Sequence, residues 1–339
     1  MRRMNQKFQF IATLVALLLS PSISMAQESA LLTHYYDLQS IYSPAATGMQ
    51  KTLKVALDGR LDSIGADSKS RNIFAVVEAG KDFEKIRVGA GIVYNQGHVS
   101  GLDRMAGTLN LSVGYRLGNG MLSIGISPGI MRGEVLIGTI NSGLDDNKAK
   151  LESRAETSEE GALKKKTNTF DIGAGIYFTD HRLWVSASAL HVNAPRYRYR
   201  RAGILNGEES SYQEETTEAA PRTYYFTAGY NITIKKSLFD LVPSFIVAVR
   251  TKSTQFQADA RLIFKKLIHF GLGWRSKNTG IVLAGIEYKG FHLMYGYEHG
   301  FSAKEGGSRF NGHEVLAAYA VDFDLNRKKK YRQKSIRIL

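Results

Sequence analysis

The chain has 339 residues, 45 Lys and Arg against 31 Asp and Glu, and no cysteine. The missing cysteine excludes a disulfide scaffold, a cysteine-ligated zinc or iron–sulfur site and a thiol nucleophile. Beyond residue 26 no stretch holds the about 18 consecutive apolar residues of a membrane-crossing helix, which excludes a helical membrane protein. The 33 Gly, 17 Tyr and 16 Phe against 6 Pro tilt the composition towards β structure.

At the N-terminus Arg2, Arg3 and Lys7 precede an apolar run over 8–19, and Ser24-Met25-Ala26 sets small residues ahead of Gln27. This is the layout of a secretory signal peptide over 1–26, so the chain is expected to be exported. Residues 27–51 then form a separate N-terminal segment, expected to lie in the periplasm or to plug the bore of the fold that follows.

From residue 52 onward the dominant period is two, the period at which side chains alternate between the faces of a strand. In 255–264, Gln255, Gln257, Asp259 and Arg261 alternate with Phe256, Ala258, Ala260, Leu262 and Phe264. In 291–298, Phe291, Leu293, Tyr295 and Tyr297 alternate with His292, Met294, Gly296 and Glu298. The pattern predicts fourteen strands, near 52–60, 71–79, 85–95, 104–116, 121–131, 168–178, 182–191, 222–232, 242–250, 254–264, 267–275, 280–288, 290–298 and 313–323. Most have the ~9–11 residues that a tilted strand needs to cross a bilayer.

The connections alternate in length. Those over 80–84, 117–120, 179–181, 233–241, 265–266 and 289 are short, whereas 132–167 and 192–221 are long. Short turns on one side and long loops on the other are the asymmetry of an outer-membrane barrel. An even strand number puts both termini on the short-turn side, the periplasm.

One face of the strands is aliphatic and aromatic. The other carries Gly and charge: Lys54, Asp58, Arg60, Glu78, Arg87, Arg116, Asp171, Asp259, Arg261, Arg275, Glu287, Glu298, Glu314 and Asp322. A soluble sandwich turns its apolar face inward, and a membrane barrel turns it to lipid. Strand length, aromatics near strand ends (Tyr94, Tyr115, Trp274, Tyr288), the loop asymmetry and the signal peptide select the second. The fold expected over 52–324 is therefore all-β: an antiparallel transmembrane β-barrel of the outer membrane, of about 14 strands. The inward glycines, such as Gly89, Gly91, Gly173 and Gly175, are expected to permit bends, and Pro128 to mark a bulge or the exit of its strand from the bilayer.

No pattern points to chemistry. Gly89-x-Gly91 and Gly173-x-Gly175 lie within strands rather than between a strand and a helix, so they are not a nucleotide loop. The eight His show no local ligand spacing, and no nucleophile, base and orienter stand out. The chain is expected to be no enzyme, with no cofactor and no metal. Two other segments are charged. RYRYRR over 196–201 is expected to extend the seventh strand above the membrane, with a solvated hairpin as the alternative. The tail 325–339 carries seven Lys and Arg and no acid, among them Arg327, Lys328, Lys329, Lys330 and Arg332. An exported chain has little access to nucleic acid, so this tail is expected to meet anionic lipid or an acidic partner.

Residues 27–48, QESALLTHYYDLQSIYSPAATG, resemble the mature N-terminus of the PorP/SprF family, outer-membrane proteins of the type IX secretion system. Members begin with a Gln, an aromatic-containing stretch and an Asn-Pro-Ala-x-x-Gly motif ahead of strand one. Pro44, Ala45 and Gly48 match that motif, and Ser43 stands where Asn is usual. The resemblance continues at Arg60, at the hairpin 111–130 and at Gly312-His313-Glu314, and the basic extension after Phe323 departs from it. It implies support for export, or surface retention, of cargo with a C-terminal sorting domain, as part of the secretion and gliding machinery. Its implied partners are other type IX components, cargo proteins and outer-membrane lipid. A passive porin or hydrophobic-substrate channel is the alternative.

Overall fold

The computed structural model describes residues 31–50, 52–64, 69–99, 102–137, 163–205, 208–234, 238–251, 253–276, 278–301 and 310–322. The signal segment, most of the 132–167 connection and the basic tail lie outside the described residues. A short helix α1 (Gln39–Tyr42) and a 3-10 turn (Pro44–Ala46) precede the strands. The strands are β1 (Thr52–Ile64), β2 (Lys69–Phe83), β3 (Ile86–Val99), β4 (Leu102–Leu117), β5 (Gly120–Ile137), β6 (Leu163–Thr179) and β7 (Leu183–Leu190). There follow β8 (Arg196–Leu205), β9 (Glu208–Ala219), β10 (Thr223–Tyr230), β11 (Ile232–Ile234), β12 (Phe239–Arg250), β13 (Ser253–Phe264), β14 (Ile268–Arg275), β15 (Thr279–Tyr288), β16 (Phe291–Gly300) and β17 (Phe310–Asp322).

Fourteen of these, β1–β7, β10 and β12–β17, close into a ring of antiparallel neighbours. The first strand pairs with the last, from Thr52 opposite Asp322 to Ile64 opposite Phe310, and β10 pairs with β12. Closure leaves no edge in the ring, as hydrocarbon requires, because an unpaired backbone group there has no water to bond. These are the fourteen strands that the period-two pattern predicts.

Burial confirms which face is which. Along β13, Gln255, Gln257, Asp259 and Arg261 are buried, while Ala260 and Leu262 are exposed. Outside stand Leu57, Ile92, Ile124, Ile130, Phe270 and Leu272, each with half or more of its surface open, and the interfacial aromatics Tyr115, Trp274 and Tyr288. Polar residues inside and apolar ones outside invert a soluble protein and fit an acyl-chain environment. No helix among the described residues is long and apolar enough to cross a membrane.

The two ends of the ring differ. At one end β2–β3, β4–β5, β13–β14 and β15–β16 turn within two or three residues. Lys289 and Gly290 both have positive φ, 49° and 85°, as a two-residue primed hairpin turn demands. At the other end β5 and β6 reach 18 and 17 residues. Eighteen residues at ~3.3 Å each far exceed the apolar band of a barrel, so these strands stand out of the membrane on the long-loop side.

At two places where the sequence leaves two alternatives, the structure overturns one of each. Pro128 makes no bulge: the β4–β5 register is the same on either side of it, with only the ladder opposite Leu109 and Asn110 interrupted, and β5 continues nine residues further. Proline has no N–H to donate, and the strand absorbs the loss without changing register. The 196–201 stretch does not extend β7. His191 and Ala194 take positive φ and turn the chain, and β8 pairs with β9 as a separate two-stranded sheet. In that register Arg200 stands opposite Glu215 and Arg201 opposite Glu214.

Candidate functional site

The lumen is filled by the chain's own N-terminal residues. In 31–50, Leu31, Leu32, Thr33, His34, Tyr35, Tyr36, Asp37 and Leu38 are all buried, as are Tyr42, Ser43, Ala45, Thr47 and Met49. Leu31, Leu32, Tyr35, Tyr42 and Met49 make an apolar core with inward residues of the wall, among them Val76, Ile246, Leu283, Met294 and Leu316. The inward face is therefore not only Gly and charge. Leu, Ile and Met recur on it where the inner segment lies.

A segment with so little regular structure must find partners for its backbone groups elsewhere. Side chains of the wall supply them. Ser112 Oγ donates to the Thr47 carbonyl at 2.6 Å, Ser123 Oγ to that of Ala45 at 2.6 Å, and Asn110 Nδ2 to that of Ser40 at 2.8 Å. Lys54 donates to the Asp37 carbonyl, Arg87 to that of Met49 and Ser188 to that of Tyr42. On the far side Tyr35 OH donates to Ser244 Oγ at 3.0 Å. Bonds from β1, β3, β4, β5, β7 and β12 converge on one short stretch of chain.

The family-motif residues sit where this contact is closest. Pro44 opens the 3-10 turn at its first position, where its lacking N–H costs nothing, and Ala45 is fully buried. Gly48 has φ of 69°, and its carbonyl packs on Gly80 so closely that a Cβ there has no room. A Cβ at Gly125 would stand 2.5 Å from the Ala45 nitrogen. The inward glycines at 80, 89 and 125 thus make a track for the inner segment rather than bends in the wall. Charge patterning alone offers no sign of this use.

At the other end of the segment a buried charge network forms. Glu298 lies between two guanidinium groups, 2.7 Å from Arg60 and 2.7 Å from Arg275. Arg60 also reaches Glu314 at 3.0 Å and Asp62 at 2.9 Å. Both arginines donate to the Leu31 carbonyl, at 2.9 and 2.6 Å. Thr33 Oγ1 donates to Glu298 at 2.6 Å, and Glu314 accepts the backbone N–H groups of Thr33 and His34, each at 2.9 Å. Of the charges expected inside, Lys54, Asp58, Arg60, Asp171, Asp259, Arg261, Arg275, Glu298 and Glu314 are buried, whereas Arg116 and Asp322 stand exposed at strand ends.

His34 is the inner segment's own ionisable group in this network. Its Nδ1 lies 2.8 Å from Glu314 and 3.9 Å from Asp58. Burial by itself lowers the imidazole's pKa, but the two carboxylates outweigh burial and raise it from 6.5 to about 10. The shift favours the imidazolium at neutral pH. Sequence reasoning does not single it out, because its partners lie on strands at opposite ends of the chain and no local spacing marks them.

A closed ring of fourteen strands, apolar outside and filled inside, defines an outer-membrane β-barrel. The sequence matches the family described as type IX secretion system membrane protein PorP/SprF over residues 24–329, and the chain belongs to that family. No curated protein matches it. Among solved structures it is similar to a deltaS2S3 mutant of the TodX monoaromatic hydrocarbon channel, at 10% identity over 84% of this chain and 94% of that one, with a TM-score of 0.51. That likeness is one of fold alone. The translocator domain of the autotransporter NalP from Neisseria meningitidis is 12% identical over 85% of this chain and 96% of that one, with a TM-score of 0.47.

Proposed function

We propose that the chain is a plugged barrel of the type IX machinery that supports export or surface retention of cargo carrying a C-terminal sorting domain, as a docking and anchoring component rather than as the conduit. The observation that carries this reading is the occupied lumen. A segment bonded to strands all around the ring and packed on an apolar core occupies the space that a cargo chain would need, so the barrel's work falls to its loops and its two mouths. Both termini face the periplasm in this reading. The long-loop side, with β5, β6 and the β8–β9 hairpin, faces the exterior and meets cargo. The basic residues Arg327, Lys328, Lys329, Lys330 and Arg332 meet an acidic periplasmic component of the machinery.

A passive porin or hydrophobic-substrate channel needs an open path, and the filled lumen counts against it. Disruption of the gene separates the two. Loss of surface cargo with small-molecule uptake intact supports the secretion role, and lost uptake with normal surface cargo overturns it. Cargo that is secreted but released to the medium assigns the barrel to retention rather than export.

A further inference from the structure

On the outer face, β14–β17 bring side chains of unequal size into one register row: Phe270, Ala284, Tyr295 and Val315. Phe270, Tyr295 and Val315 stand exposed. Ala284, between Phe270 and Tyr295, is too short to fill its place, and the row is notched there. With Ile286 and Leu293, one row nearer the short turns, these residues line a trough of about 420 Å³. No charged side chain lines it.

Two hairpin turns stand at the short-turn end of the trough. Lys265, Lys266 and Leu267 join β13 to β14, and Lys289 and Gly290 join β15 to β16. The Glu287 N–H donates to the Leu267 carbonyl at 2.7 Å, so the two turns lie side by side. All three lysines are exposed, and their φ angles are 50°, 56° and 49°. Residues other than glycine rarely adopt such angles, and asparagine or glycine would stand there at lower cost. Turn geometry therefore does not account for lysine at these places, whereas a charge at the membrane edge does. Lys265 Nζ lies 5.2 Å from the centre of the Phe264 ring, and Lys289 Nζ 5.1 Å from that of the exposed Tyr288. The ammonium groups are thus held beside aromatic rings of the outer face. Over 264–271 and 284–295 the one carboxylate is Glu287, and it faces inward, 3.6 Å from His269 Nε2.

An apolar trough that ends in three cations matches an amphiphile with an acyl chain and an anionic head. A second copy of this chain fits less well. Two barrels packed through this face about an axis along the membrane normal would set the lysines of one against those of the other. The trough opens on the lipid-facing surface, so an acyl chain enters it without leaving the bilayer. Short turns of such barrels are periplasmic, which selects a phospholipid of that leaflet over a lipid A of the outer one.

We propose that the trough on β14–β17, with Lys265, Lys266 and Lys289, binds an anionic glycerophospholipid of the periplasmic leaflet, its acyl chain in the notch at Ala284 and its phosphate at the lysines. The choice of leaflet rests on the orientation proposed above, and the binding does not depend on the cargo reading. The test is native mass spectrometry of the full mature chain in detergent, titrated with phosphatidylglycerol, phosphatidylcholine and lipid A. Expected is a saturable phosphatidylglycerol adduct, tighter than that of either other lipid. Lys265→Gln, Lys266→Gln and Lys289→Gln together should weaken it roughly 10- to 100-fold, as the loss of three cations beside the head requires. Ala284→Leu fills the notch from the lipid side and should weaken it with charge unchanged. Lys81→Gln with Lys85→Gln, at the β2–β3 turn outside the trough, should leave it as it is. Heat-modifiable gel mobility identifies folded variants, and the preference among the three lipids needs no variant. Equal binding of phosphatidylcholine or tighter binding of lipid A would overturn the proposal. So would undiminished affinity in the triple glutamine variant or in Ala284→Leu, or an equal loss in the Lys81 and Lys85 variant.

Discussion

Arg60 on the first strand of the ring and Glu314 on the last are cross-strand partners in register, and their side chains meet at 3.0 Å across the seam where the barrel closes. The same Glu314 accepts the backbone N–H groups of Thr33 and His34. Closing the ring and seating the inner segment therefore draw on one carboxylate. Glu298 extends the arrangement to Arg275, so four strands and the inner segment share one buried network.

Breaking this network by removing one partner leaves a buried charge uncompensated. Glu298→Gln takes from Arg275 its carboxylate partner and from Arg60 one of three, and a lost partner in such a pair costs about 3–5 kcal/mol. The barrel's hydrogen-bonded ring does not depend on Glu298, so the loss should appear as release of the inner segment. Protease cleavage within 31–50 should become rapid in Glu298→Gln, while heat-modifiable mobility of the barrel is kept.

The charge on His34 makes seating of the segment dependent on pH. Its pKa is raised in the folded state, so its contribution is complete below the unfolded value of about 6.5 and is lost as pH rises through about 10. The groups facing it are Asp58 and Glu314, with Arg60 beyond. Protease accessibility of 31–50 should rise between pH 9 and about 11 in the native chain. His34→Gln should be more accessible already at neutral pH and lack the step attributable to this group.

Strand number, strand order and the inside-out polarity were legible in the sequence because each follows from a period-two rule that acts locally. Gln257 and Asp259 declare their face through Phe256 and Ala258. Strand ends were less legible. β5 runs to Ile137 and β6 starts at Leu163 because the two pair above the membrane, where polar residues no longer alternate with apolar ones. The candidate site was legible as an inward set of charges and as a leading segment, 27–51, expected to lie in the periplasm or to plug the bore, but not as particular contacts. That Glu314 would hold Thr33, or that Gly125 would be empty so that Ala45 can approach, depends on contacts between residues 80 to 281 positions apart. Nothing in local spacing encodes them.

The glycine track offers a test that leaves charge alone. A Cβ at Gly125 meets the backbone nitrogen of Ala45 rather than a movable side-chain tip. Gly125→Val should displace the 3-10 turn with the ring intact, and the inner segment should again become open to protease. A valine at Gly107, where a Cβ meets nothing within 4 Å, should have no such effect.

The basic tail has its own expected outcome. Each Lys or Arg close to an anionic surface contributes about 1 kcal/mol, and salt screens it. Truncation after Asn326 should leave the barrel folded and reduce co-purification of periplasmic components. In the intact chain the same reduction should follow from raised salt. Retention of all partners by the truncated chain would remove the tail from the account.

The claim that the lumen is closed by the chain's own N-terminus is tested most directly by single-channel conductance in planar bilayers, comparing the full mature chain with one lacking 27–51. The account predicts silent bilayers, or rare small openings, for the full chain and large stable steps for the deletion, since a ring of fourteen strands encloses a wide bore once emptied. Equal conductance in the two, whether both open or both closed, would contradict it.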